Sequence, residues 1–142
     1  MGFKESEASV GLPGVKLVQR VLGGLIGAVD QIYGDLAATK DYGNVEVKND
    51  TKSEHTNNIA VEYMGNLGQD SGITTTMSDH WAHLVRIDGR CDLWLFATTE
   101  LRAKLQLYNC LDNGVSNEGA VCHLIPKHLA KEWVKVTWEN LQ

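Results

Sequence analysis

Hydrophobic positions near the start of the chain recur at helical intervals. Val18, Val21, Leu22, Leu25 and Val29 stand at i, i+3, i+4, i+7 and i+11, which predicts a helix over residues 10–32 with one core-facing stripe. Gly23, Gly24 and Gly27 weaken that helix locally and let it pack closely on a sheet. The period then changes. Residues 35–39 and 45–49 read as two strands joined by "KDYGN", an antiparallel hairpin with a Gly-Asn turn. In "NNIAVEYM", Ile59, Val61 and Tyr63 share one face, while Asn58, Ala60 and Glu62 share the other.

A Gly-rich connection, "GNLGQDSGI", leads to "HWAHLVRI" and "CDLWLFA", two further strands separated by a "DGR" turn. Thr98 or Thr99 can cap a helix through "ELRAKLQLYNC", with Glu100 well placed in its first turn. The polar loop "LDNGVSNEG" precedes an apolar strand, "AVCHLI". Pro126 suits the first turn of a short helix, "PKHLAKEW", and "VKVTW" reads as an edge strand. This order gives an α/β (α+β) sandwich: one domain with its core over residues 10–138, a mixed central sheet and helices packed on it.

Composition narrows the setting. No apolar run approaches the roughly 18 residues a membrane helix needs, so no membrane partner is expected. The start "MGFKESEASV" is polar and acidic, unlike a secretory signal or an Arg-rich transit peptide, and a cytoplasmic location is expected. Cys91, Cys110 and Cys122 have no metal-type spacing and read as buried, reduced thiols. Thirteen basic against 18 acidic residues give a net charge of −5. A polyanion would therefore have to meet a local lysine cluster or a bound cation.

Candidate chemistry concentrates in "NVEVKND". Strand parity puts Glu46 and Lys48 on one face, with Val45 and Val47 on the other. The hairpin can bring Asp35, eleven residues upstream of Glu46, beside both if the pairing has the right parity. Two carboxylates and a lysine suit Mg²⁺ or Mn²⁺ with phosphate oxygens, the lysine orienting or deprotonating a water or neutralising charge on phosphorus. On its own, E-x-K is also what a solvated cross-strand charge ladder presents.

The longer strings "GDLAATKDYGNVEVKND", "TNNIAVEY" and "SGITTTMSDHWAHLV" occur in an order that resembles the PD-(D/E)xK nuclease superfamily, in its small phage and mobile-element type. "FATTELRAKL" and "CHLIPKHLAKE" extend the likeness to roughly residues 34 to 131. The resemblance implies a restriction-endonuclease-like αβββαβ core and a metal-dependent DNA nuclease. It implies Asp35 and Glu46 as metal ligands, the Val47 carbonyl as a further ligand, and Lys48 as the catalytic lysine. Asn58 matches the Asn of the third block, and Glu62 matches its Glu, an accessory role or a structural one. Expected partners are Mg²⁺ or Mn²⁺, DNA (branched or single-stranded forms included) and, by analogy with many such nucleases, a second copy of the chain. The alternative is a nuclease-fold module that binds nucleic acid or protein without cutting. Departures from the pattern are Gly34 in place of the motif's Pro, Asn57 in place of Gly, and His80 in place of Tyr. The first helix offers only Gln19 and Asp30 where many relatives carry a Glu.

Other candidates have plainer readings. His80 and His83 are three apart on a strand and point oppositely, so they do not form a zinc pair. Lys52 and His55, with Lys40 and Lys48, could form a small basic rim for a phosphate backbone, or a solvated loop of mixed charge. Trp81 and Trp94 read as core.

Overall fold

A computed structural model describes residues 12–27, 33–108 and 111–141. Helix α1 (Leu12–Leu22) carries Pro13 in its first turn, where a missing N–H costs nothing. It is half the predicted length. Gly23 takes φ +76° and its N–H donates to the Gln19 carbonyl, so the glycine pair stops the helix instead of merely thinning it. Leu25, expected in the helical stripe, sits 61% exposed in a two-residue strand, β1 (Leu25–Ile26). Val29 and Asp30 lie outside the described residues.

The principal sheet has six strands in the order β1-β2-β3-β5-β6-β9. They are β1, β2 (Leu36–Thr39), β3 (Gly43–Asp50), β5 (His80–Ile87), β6 (Arg90–Ala97) and β9 (Val136–Trp138). β3 and β5 run parallel, and every other pair is antiparallel, so the fold is mixed α/β as expected. A second, antiparallel sheet has the order β4-β8-β7, with β4 (Asn58–Met64), β7 (Asp112–Val115) and β8 (Val121–Pro126). Helices α2 (Thr98–Leu107) and α3 (Lys127–Trp133) complete the described elements.

Three expectations need correction. The αβββαβ order that the resemblance implies would set β4 in one sheet with β2 and β3, yet it pairs with β8 in the other sheet. Alternation reports that one face is buried, not which strand lies alongside. The connection from β3 to β5 is thus β4 with 3₁₀ turns at Thr51–Glu54 and Gly72–Thr74, not a helix as an αβββαβ order requires. The segment 112–115, read as loop, is the edge strand β7 paired with β8. Neither Thr98 nor Thr99 caps α2: Ala97 holds the cap position without a side-chain bond, and Thr98 lies 3.4 Å from the Ser78 hydroxyl.

The principal sheet separates two apolar clusters. On one face Val15, Val18 and Leu22 of α1 pack on Val45, Val47, Leu84 and Leu95. On the other, Trp81, Val85, Trp94 and Phe96 meet Ile59, Val61 and Ile125 of the small sheet, with Leu101 and Trp133 of α2 and α3. Both tryptophans are core, as their strand positions predicted.

The detail that positions the candidate site lies in the β2–β3 hairpin. Thr39 pairs with Gly43, and a regular ladder from there would set Leu36 opposite Glu46. Instead Leu36 pairs with Val45, because β2 holds one extra residue and Ala38 adopts φ +54°. Leu36 thereby joins the α1-side core, and Asp35, one residue further, falls to the Glu46 side. The Asp35 N–H donates to the Val45 carbonyl at 2.8 Å. Gly34 makes this approach possible, since at φ +112° an added Cβ would stand 2.6 Å from the Val45 oxygen. Proline, fixed near φ −65°, could not occupy the position at all.

Gly34→Ala should therefore cost about 2–4 kcal/mol in urea unfolding, from strain plus backbone collision. Gly68→Ala, at φ +82° with nothing within 4 Å, should cost only about 1 kcal/mol. Equal losses would contradict the close approach.

Candidate metal and phosphate site

Glu46 and Lys48 emerge from β3 on the face opposite Val45 and Val47, as parity required. Lys48 Nζ lies 3.1 Å from Glu46 Oε2 and 5.4 Å from the centroid of the Trp81 ring, which its parallel neighbour β5 supplies. Asp35 Oδ2 accepts the Val47 N–H at 2.8 Å, which ties the start of the hairpin to the middle of β3. The three residues predicted as a catalytic set are therefore neighbours.

Their electrostatics are unbalanced. Burial raises the Glu46 pKa, the Lys48 ammonium pulls it back, and the charge and contact of Asp35 raise it again; it ends above its ordinary value. Burial would lower the Lys48 pKa, but Glu46, Asp35 and Glu62 outweigh it and hold the amine above its ordinary value. Lys48 is thus an ammonium at neutral pH. Glu46 is 9% exposed, and its Oε1 has no hydrogen-bond partner among the described residues. A buried carboxylate oxygen beside a second carboxylate is costly unless a cation, or a proton shared with Asp35, completes it.

The donor set fits a hard divalent ion: two carboxylates, with the Val47 carbonyl as the expected third protein oxygen. Among the described residues no group of three or more His, Cys, Asp or Glu is arranged around a metal position. Two carboxylates are enough for Mg²⁺, which keeps several of its waters. Gln19, considered as a helix ligand, instead donates to the Gly24 carbonyl at the end of α1.

A second polar cluster stands behind Lys48, and the sequence reading missed it. His83, fully buried, places Nε2 2.9 Å from Asp50 Oδ2 and Nδ1 3.2 Å from the Trp81 indole nitrogen. Indole N–H can only donate, so Nδ1 accepts and Nε2–H donates to Asp50. Asp50 also accepts the N–H groups of Ala60 and Ser53. Burial would raise the Asp50 pKa, but the hydrogen bond from His83 and these N–H groups hold it below its ordinary value. Asp50, His83, Trp81 and Lys48 thus form a chain of contacts that fixes the lysine. Asp50 was two residues from the E-x-K on the same strand face; period-two parity was the signal available for it.

The remaining candidates scatter. Lys52 is exposed beyond the end of β3 and donates to Asn117 Oδ1 at 3.2 Å. Asn58 opens β4, half buried. His55 is exposed and paired with Glu54 at 3.7 Å. Lys40 sits in the β2–β3 turn, before the eight-residue β3, and Lys52 follows it. At about 3.3 Å per residue, β3 separates them by roughly 26 Å, so Lys40 does not join a rim with Lys52. Glu62 accepts the Ser71 hydroxyl at 2.7 Å and acts on Lys48 through its charge. His80 contacts the Tyr42 carbonyl, on a strand face of its own, and forms no metal pair with His83. Cys91 and Cys122 are buried free thiols, as expected, while Cys110 lies outside the described residues. No helix among the described residues is long and apolar enough to cross a membrane. No protein-family model, curated protein or solved structure matches this chain.

Two outcomes are expected. The folded-state pKa of Glu46 lies above the unfolded one, so its ionisation opposes folding above about pH 4.3. In EDTA at pH 7, Glu46→Gln should melt at a higher temperature than wild type, with the gain vanishing below that pH. Added Mg²⁺ should then raise the wild-type Tm and leave the variant's unchanged. Asp50 has the opposite sign: its depressed pKa stabilises the fold above about pH 4, and that stability is lost as pH falls through the folded value. Urea unfolding of Asp50→Asn should show a loss of about 3 kcal/mol at pH 7 that narrows in acid.

Proposed function

We propose that the chain is a Mg²⁺- or Mn²⁺-dependent nuclease that hydrolyses DNA phosphodiester bonds, with its site on the β2–β3 hairpin of the principal sheet. The observation that carries this reading is the buried, unpartnered Glu46 Oε1, set against Asp35 on one side and Lys48 on the other. A solvated charge ladder would leave both oxygens of Glu46 in water, and this one is not. Asp35, Glu46 and the Val47 carbonyl would hold the ion. When bound, it supplies Lewis acidity at the phosphate and lowers the pKa of its water.

Lys48 has a narrower role than the sequence left open. An amine whose pKa is raised does not take a proton from water near neutral pH, so it acts as an ammonium. It would neutralise charge gathering on a non-bridging phosphate oxygen as the bond to phosphorus breaks. Trp81 and His83 hold it in place for that task. The resemblance further implies products ending in 5′-phosphate and 3′-hydroxyl. An alternative reading, a non-cutting binding module, draws on the acidic total of −5.

Plasmid, single-stranded and branched DNA incubated with Mg²⁺ or Mn²⁺ should be cut by the wild type. Asp35→Ala, Glu46→Ala and Lys48→Ala should each lower the rate at least about 100-fold. Equal cleavage by wild type and variants would remove the site. Binding by the wild type with no cleavage in either metal would favour the module.

A further inference from the structure

A cavity of about 540 Å³ opens beside Lys48, between the 3₁₀ turn after β3 and the β7–β8 hairpin. Lys48 and Glu62 stand in its wall, while Asp35 and Glu46 do not; Lys48, paired with Glu46, belongs to both the cavity and the candidate site. A phosphate held against Lys48 therefore has its neighbouring nucleotide at the cavity.

The lining suits that occupant. Val115, Leu124 and the edge of Cys122 give apolar surface for a ring face, and burial pushes the Cys122 thiol up to about 11, so it stays uncharged. Asn58 and Asn117 offer amide groups for a base edge, and Lys52 stands by for the backbone. Of the carboxylates in the wall, Asp50 is occupied by His83, Ser53 and Ala60, and Glu62 by Ser71, while Glu118 stands exposed at the rim, where a nucleotide's phosphate must keep clear of it. The volume falls in the range of about 300–1,000 Å³ typical of small-ligand sites, enough for a nucleotide and too little for a base-paired duplex. The Lys52–Asn117 hydrogen bond joins the two turns at the rim.

We propose that this cavity seats one unpaired nucleotide next to the reacting phosphate, so that the chain acts on single strands or splayed ends of DNA in preference to continuous duplex. The assignment of the phosphate rests on the nuclease reading; the cavity's fit to a nucleotide does not. Val115 is 69% exposed on the cavity wall, so Val115→Trp fills the space without disturbing the core.

The test is fluorescence anisotropy with a labelled dT12 and a blunt 12-base-pair duplex, in Ca²⁺, with strand integrity checked on a denaturing gel. The wild type should bind dT12 at least 10-fold more tightly than the duplex. Val115→Trp should weaken dT12 binding at least 10-fold with an unchanged Tm, and Asn117→Ala should weaken it less. Unchanged dT12 binding by Val115→Trp, or duplex bound as tightly as dT12, overturns the proposal even if the wild type cuts DNA. The expected binding pattern in a chain that cuts no DNA supports the cavity and removes the nuclease reading alone.

Discussion

An extra residue in β2 decides which way Asp35 faces, and the candidate site follows from that single register change. Without it, the ladder would set Leu36 against Glu46 and send Asp35 to the α1 side. A leucine would then sit among charges and a carboxylate in an apolar cluster. With it, Leu36 and Val45 are both fully buried on the α1 side, and Asp35 comes to the Glu46 side. The left-handed Ala38 and the close backbone approach at Gly34 are the local strains that this arrangement requires.

What the register assembles is a local conflict. Glu46 is buried beside a like charge, and one lysine offsets it only in part. Such groupings lower the stability of the free protein and persist where a site needs them. The surroundings are correspondingly rigid. Trp81 lies beneath the lysine, His83 holds the indole, and Asp50 holds His83 while taking two backbone N–H groups from the turn and from β4. The small sheet thus does two things: Ile59 and Val61 close the apolar cluster, and the backbone of Ala60 anchors the acid that steadies the lysine.

Much of this was legible in local pattern. The hairpin could be read from its two strand-forming runs, although its turn falls at residues 40–42 and the expected Gly-Asn pair opens β3; the shared face of Glu46 and Lys48 could be read from period two, and the β5–β6 pair from two apolar runs around Asp88-Gly89. Three features were not. A bulge at alanines carries no compositional mark, so the parity of Asp35 stayed open. The partner of β4 depends on β8, some sixty residues later, and alternation is silent on distant pairing. Asp50 and His83 meet only because β3 and β5 run parallel and adjacent. Lys40 failed for the converse reason: it is near Lys48 along the chain and at the far end of the strand in space.

The claim on which all of this turns is that Asp35 and Glu46 hold a divalent cation. A crystal grown or soaked with Mn²⁺, measured at the manganese absorption edge, tests it directly. The expected result is an anomalous peak within about 2.2 Å of a carboxylate oxygen of both Asp35 and Glu46, abolished in Glu46→Gln. Full-occupancy manganese elsewhere on the chain, with none between these two carboxylates, would contradict it.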